Sequence, residues 1–217
     1  RGVFPASAYA TFEDPFFALY WTKRNEADTG QRITTPPDDS AKLPPMLLLE
    51  MISAPQFDMP SGESVSVMKN VANRFISRFG FSVTNVAGPE NIVVRDENDD
   101  EIDLTLLGDG IQNIVRLGLA LASATVSDNQ KRGREIDAPA PIIACIDNIE
   151  LHLHPSWQQL IVPSLLRAFP EAQFIVATHS SFILSTVRAK SIRTIERDAD
   201  GMLRAVTLRN EVVGTNA

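Results

Sequence analysis

The residues with most chemistry to offer close two apolar runs. Asp147 ends the unbroken run Ile142–Ile146, which follows Pro141 and reads as a fully buried strand. In open parallel sheets the carboxyl ends of the strands form the ligand edge. An acid there can hold Mg²⁺, usually through water, where the phosphates of a nucleotide would lie. Asn148 follows and cannot act as a base. Glu150 shares a side with Asn148 if the chain stays extended. A second apolar strand, Phe174–Ala177, ends in Thr178-His179-Ser180, and His179 can hydrogen-bond a phosphoryl oxygen or an attacking water. Upstream, Leu107-Gly-Asp-Gly-Ile-Gln112 opens a helix. Gly108 and Gly110 let backbone approach a ligand there, and the N–H groups and dipole of the helix start seat an anion.

Each station alone has a plainer reading. Asp147 then caps a strand-to-loop turn, His179 is satisfied by backbone, and residues 107–112 are a loop before an amphipathic helix. His152-x-His154 has the spacing of a zinc pair, as in a metal-dependent hydrolase. Such a site needs at least two further ligands, and His179 is the one histidine left. The plainer reading makes His152 and His154 loop and helix-start residues, with Pro155 in the first helical turn.

These side chains need a scaffold, and the pattern supplies one from Pro60 onward. Ser61-Gly-Glu-Ser64 is a helix start. Met68, Val71, Ala72, Phe75, Ile76 and Phe79 then line one apolar face, and Gly80 stops the helix. Residues 81–86, 92–95 and 102–106 read as short strands, the last two joined by the acidic turn 96–100. A long helix runs from about Gly110 to Ala124, followed by a polar loop over 127–140. Then come strand 141–146, helix 156–169 with Trp157 as a packing residue, strand 173–177 and helix 181–187. Residues 192–196 and 202–208 form a closing hairpin around Asp198–Gly201. Strands alternating with helices imply a parallel sheet carrying helices. Residues 1–60 hold eight of the fourteen prolines, so long regular elements are not expected there. Tyr9–Tyr20 is aromatic-rich, and Met46–Ile52 is a short apolar element of open type.

The 217 residues suffice for one large domain, and 44% hydrophobic content is ordinary for a globular protein. A net charge of −7 argues against wholesale nucleic-acid binding. Lys131, Arg132 and Arg134 could touch phosphates, but acidic flanks at Asp128, Glu135 and Asp137 favour a solvated loop. Cys145, the single cysteine, has no internal disulfide partner, which fits a reducing cytoplasm; it reads as a small core residue. No apolar run reaches the ~18 residues of a membrane span. Residue 1 is Arg with no apolar leader after it, so the chain reads as a piece of a longer one.

The joint order is the specific signal: Leu-Gly-Asp-Gly, then apolar strand-Asp-x-x-Glu-x-x-Leu-His-Pro, then apolar strand-Thr-His-Ser. Over roughly residues 60–210 this is similar to the ABC-type ATPases of the RecF, SMC and OLD-nuclease group. It looks closest to the soluble AAA-like ABC ATPases of DNA repair and bacterial anti-phage systems. The resemblance implies an α/β fold, a parallel-sheet lobe of the P-loop NTPase type with helices on the sheet and short antiparallel hairpins. Residues 1–60 would be an insertion or interaction segment, and 61–217 the carboxyl-side part of the ATPase domain. Leu107, Gly108, Asp109, Gly110 and Gln112 fall on the signature motif and would contact ATP. Asp147 falls on the Walker B aspartate, the Mg²⁺ ligand. Leu153-His154-Pro155 lies in the D-loop region, and His179 is the switch histidine. Asn148, Glu150 and His179 make up the expected catalytic set.

Three departures qualify what the resemblance implies. Asn148 stands where the family has its catalytic glutamate, so hydrolysis is expected to be slow, unless Glu150 substitutes. Gly108 stands where the signature has serine. No Gly-Lys pair occurs in the sequence, so the phosphate-cradling loop must come from elsewhere, ahead of this segment or from a partner subunit. The family's mechanism places ATP between two subunits. The expectation is therefore a homodimer, or a subunit paired with another ATPase. ATP would close this clamp, and a nuclease effector or other DNA-acting partner would read it. A non-catalytic scaffold is the alternative.

Overall fold

The computed structural model describes residues 18–21, 46–51, 55–197 and 202–207. Most of Tyr9–Tyr20, the loop at Pro36–Ser40 and the turn Asp198–Gly201 lie outside them. Helix α1 (Ser64–Ile76) forms where the apolar spacing predicts it. Met68, Val71, Ala72, Phe75 and Ile76 are each at most 1% exposed, a burial that contributes about 1.5–3 kcal/mol per large side chain. A 3-10 turn, Ser77–Phe79, extends it, and Gly80 ends it in the left-handed region at φ 83°.

A six-stranded sheet carries the site. It contains β1 (Ala18–Trp21), β2 (Met46–Glu50), β6 (Ile143–Asp147), β7 (Gln173–Thr178), β8 (Ile192–Arg197) and β9 (Leu203–Thr207), in the order β2-β6-β7-β1-β8-β9. The β2-β6-β7 part is parallel. Strand β1 runs antiparallel between β7 and β8, and the expected closing hairpin pairs β8 with β9. The first 60 residues thus contribute two short strands to this sheet, and the apolar element near Met46 is parallel strand β2.

Burial alternates along the parallel strands. Leu49, Ala144, Ile146, Phe174, Val176 and Thr178 are buried and share one core with α1, with α2 (Asp109–Lys131) and with α3 (Pro155–Ala168). On the other face Ile143, Cys145 and Ile175 are partly exposed, while Met46 and Leu48 are 71% and 66% exposed. Cys145 is thus half-buried rather than deep in the core, and what desolvation remains pushes its thiol pKa up.

A smaller antiparallel sheet, β3 (Ser82–Gly88), β4 (Asn91–Arg95) and β5 (Glu101–Asp103), packs against α1. The strand expected over 102–106 stops at Asp103. That carboxylate accepts from the backbone N–H and hydroxyl of Thr105 (2.9 and 2.6 Å) and starts a 3-10 turn instead. Arg116 on α2 is buried; it donates to the Pro89 carbonyl (2.8 Å) and pairs with Glu90 (3.1 Å), pinning the β3–β4 turn.

Helix α2 runs seven residues past the expected end at Ala124, because Thr125, Val126, Asp128 and Asn129 continue its buried side. Asn129 donates to the carbonyls of Ile136 and Ala138, holding the loop that follows. Lys131 therefore lies in the helix. Arg132 pairs with buried Asp128 at 2.7 Å and Arg134 approaches it at 4.0 Å, so Arg132 is tied to a core carboxylate while Lys131 and Arg134 stay exposed. Trp157 packs edge-on against Phe79, as expected of a packing residue. Helix α4 covers only Ser181–Leu184; beyond it Thr186 and Val187 bond back three residues as turns. No helix among the described residues is long and apolar enough to cross a membrane.

Candidate functional site

Asp147 is the last residue of β6, and its register partner on β2 is Glu50, so two carboxylates end neighbouring parallel strands. Sequence reading passed over Glu50. The signal was available, since Met46–Leu49 followed by Glu50 repeats the apolar-run-then-acid pattern of β6. His179 directly follows β7, the neighbour on the other side. The parallel ladder therefore gathers Glu50, Asp147 and His179 at one carboxyl edge, where α/β sheets bind ligands.

Asp147 sits under electrostatic load. Its Oδ1 is buried and has no hydrogen-bond partner among the described residues. Burial pushes the carboxyl pKa above its ordinary value; the Asn148 backbone N–H lowers it, the charges of Glu50 and Glu150 raise it, and His179 lowers it. A lone buried carboxylate oxygen is expensive unless something binds it. A divalent cation is the fitting counterion. Among the described residues no three ligating side chains gather for a metal. Mg²⁺ is ordinarily held by one or two carboxylates together with substrate phosphates and water, and Asp147 and Glu50 end neighbouring strands at this edge.

The chain does not stay extended after Asp147. Asn148 is left-handed at φ 50°, and the N–H of Leu151 bonds its carbonyl at 2.9 Å. Asparagine tolerates that region better than most residues. The turn separates Glu150 from Asn148 and swings it toward β7, correcting the shared side expected of an extended chain. One oxygen of Glu150 accepts from the Thr178 hydroxyl (2.5 Å) and the other from the His179 backbone N–H (2.8 Å). A hydrogen-bond chain continues from there. Thr178 Oγ1 accepts from the Ser180 N–H (3.0 Å), the Ser180 hydroxyl donates to Gln158 (2.5 Å), and Gln158 donates to the Leu153 carbonyl (2.9 Å). Thr178 and Ser180 flank the histidine of the Thr-His-Ser motif but carried no assigned role, and Gln158 had no local signal in the sequence.

The expected phosphate seat at residues 107–112 forms as a helix start. Gly108 is the N-cap without a side-chain cap; Ile111 and Gln112 donate to its carbonyl, and the Gln112 side chain donates to the Leu107 carbonyl (2.8 Å). Gly108 and Asp109 are exposed, and Leu106 just before them is 79% exposed. Gly110 is buried, and a Cβ built on it would fall on the carbonyl oxygen of His152. The loop after Asp147 therefore touches the first turn of α2.

The zinc reading of His152 and His154 does not assemble. His154 caps α3 instead, its Nδ1 accepting from the Ser156 N–H at 3.3 Å and lying 2.8 Å from the Ser156 hydroxyl.

An SMC head domain from Thermotoga maritima superposes with a TM-score of 0.51 at 18% identity, covering 75% of this chain and 54% of that one. This is the fold that the motif order implied, a P-loop ATPase lobe of the ABC type. The chain is 34% identical over 121 residues to "Retron Vc95 probable ATPase" of Vibrio cholerae, covering 56% of this chain and 23% of that protein. It is 34% identical to "Retron Ec83 probable ATPase" of Escherichia coli (52% and 20%) and 38% identical to "Septu protein PtuA" of Bacillus mycoides (44% and 14%). The chain thus spans about a quarter or less of the length of these relatives. Residues 38–185, more than half of the chain, match the family described as "AAA domain, putative AbiEii toxin, Type IV TA system", and the chain belongs to that family.

Proposed function

We propose that this chain is the carboxyl-side part of an ATP-binding, slowly hydrolysing ABC-type ATPase that works as a nucleotide-dependent clamp. The observation that carries this reading is the partnerless Oδ1 of Asp147, buried at the strand edge between Glu50 and His179. In this reading Asp147 holds the Mg²⁺ of a bound ATP, and the metal neutralises charge on the phosphates. His179 hydrogen-bonds the terminal phosphoryl group. Asn148 orients water without taking its proton, so turnover is slow. Leu107, Gly108, Asp109, Gly110 and Gln112 face the nucleotide held by a second subunit. The exposure of Leu106, Gly108 and Asp109 supports that role.

The sequence has no Gly-Lys pair, so the phosphate cradle is supplied by residues outside these 217. Parallel sheets usually carry helices on both faces. The half-open face that bears Met46, Leu48 and Cys145 has room for the elements such a cradle brings. Apart from Glu50 on β2, the site residues lie within 61–217, with β1 and β2 completing the sheet. Relatives carrying retron and Septu names favour anti-phage defence over DNA repair as the setting, with a nuclease or another DNA-acting protein as effector. A cytoplasmic location accompanies this reading. The test is to titrate ATP and Mg²⁺ into the full-length protein while measuring bound nucleotide and mass in solution. The reading expects binding that Asp147→Ala abolishes and a doubling of mass that depends on nucleotide. Absence of binding overturns it. Binding without turnover in both wild type and Asn148→Glu establishes the scaffold alternative instead.

A further inference from the structure

Glu150 is the acid in a position to replace the missing catalytic glutamate, yet both of its oxygens are already engaged. They accept from groups on the far side of the site, the Thr178 hydroxyl and the His179 backbone N–H. A carboxylate whose two oxygens hold these two donors cannot turn toward an attacking water without giving up at least one of the bonds. The turn at Asn148 fixes this arrangement by aiming Glu150 across the β6–β7 gap. A bond from the Ile149 N–H to the Ala177 carbonyl (3.4 Å) ties the same two chain segments one step earlier.

We infer that Glu150 is a positioning residue that clamps the start of the His179 loop to the loop after Asp147, and does not serve as the base for an attacking water. The inference rests on the ATPase reading only for its kinetic consequence; the clamp itself is a property of the nucleotide-free chain. Its mechanical logic is direct. Ser180 caps the short helix α4 through the Ile183 N–H and bonds Gln158 on α3. Residues on both sides of His179 are therefore anchored, at Thr178 by Glu150 and at Ser180 by Gln158. The two anchors flank His179 and restrain its backbone relative to Asp147.

Two substitutions separate a clamp from a base. In Glu150→Gln the amide oxygen still accepts the His179 N–H, and its NH₂ can donate to the Thr178 hydroxyl, which accepts as readily as it donates. In Glu150→Ala both bonds vanish. The first measurement is amide hydrogen exchange at His179 in the full-length protein without nucleotide. Glu150→Ala speeds it roughly ten- to a hundredfold, the range that one charge-assisted hydrogen bond represents, whereas Glu150→Gln stays within about fivefold of wild type. The second measurement is ATP turnover. Glu150→Ala lowers kcat about tenfold or more, and Glu150→Gln retains most of it. Glu150→Gln losing as much turnover as Glu150→Ala while His179 exchange stays protected overturns the inference, because the carboxylate charge itself is then required. Unchanged exchange in Glu150→Ala overturns it as well. A wild-type protein without turnover refutes the ATPase reading alone, and the exchange result still decides the clamp.

Discussion

Gly110→Ala is the sharpest test of how the α2 entrance is built. The added Cβ would fall on the carbonyl oxygen of His152, with its carbon 3.2 Å away and Leu153 Cδ2 at 3.7 Å. The obstacle is backbone, so no side chain can rotate away. The backbone angles of Gly110 are not the problem, since it lies in an ordinary helical turn. Relief requires moving the loop 148–154 or unwinding the first turn of α2. Overpacking of this kind costs about 1–3 kcal/mol. For a chain of this size each kcal/mol lowers Tm by roughly 2–4 °C, so the expected drop is about 2–12 °C. Gly108→Ala is the matched control. Nothing lies within 4 Å of its Cβ position, and its φ of −65° suits alanine. Alanine is a poorer N-cap than glycine, but it narrows the unfolded ensemble. The two effects offset to within about 1 kcal/mol. Differential scanning calorimetry of the three proteins decides the matter. If Gly110→Ala melts within a degree of wild type, or if both alanines cost the same, the contact between α2 and the His152 loop is not the constraint claimed here.

Asp147→Asn should raise Tm at neutral pH. The folded state raises the pKa of Asp147, so its carboxyl favours folding fully only below the unfolded value near 3.8, and that contribution is lost as pH rises through the elevated folded value. The asparagine removes this liability, so the gain is present at pH 7 and fades as pH falls toward 4. A Tm difference between mutant and wild type that is independent of pH refutes it. Arg116→Ala should cost about 1–3 kcal/mol, because the Pro89 carbonyl loses its donor while Glu90, itself 71% exposed, is left to water, and Arg116→Lys should recover only part of this; urea unfolding measures both. Asn148→Glu should lower stability by about 1 kcal/mol, since a longer side chain is forced into the left-handed region at φ 50°. In the full-length protein it should also raise ATP turnover at least tenfold if position 148 is all that limits hydrolysis. Equal turnover in the two proteins would show that the limit lies elsewhere.

What could be read from the sequence was whatever a single segment encodes. The face of α1, the strands ending at Asp147 and Thr178, Pro155 at the start of α3 and Gly80 at the end of α1 all follow from local period and punctuation. The failures share one cause, which is tertiary contact acting on ambiguous local signal. Ser127-Asp-Asn-Gln130 has loop composition, yet α2 continues through it because Asp128 binds Arg132 and Asn129 binds the carbonyls of a returning loop. Leu104–Leu106 has strand composition, but the Asp103 carboxylate captures Thr105 and turns the chain first. Strand β2 is four apolar residues and an acid, too short to tell from a helical fragment until β6 pairs with it.

The role of Glu150 shows why motif spacing predicted membership in the site and missed the geometry. Two residues of separation place side chains on one side only if the backbone is extended. A single left-handed residue at 148 breaks that premise, and asparagine, which tolerates this conformation well, was itself the local cue. Once the turn is made, the loop from 148 to 154 has three neighbours. It meets β7 through Glu150, α2 through the His152 carbonyl under Gly110, and α3 through the Leu153 carbonyl bonded by Gln158. Movement at the α2 entrance cannot leave Asp147 and His179 undisturbed, because the segment between them is packed against all three elements. If a second subunit docks on the exposed residues around Leu106 and Gly108, as proposed above, it would press on the loop between the carboxylate and the histidine, which would give assembly a physical route to the proposed nucleotide site.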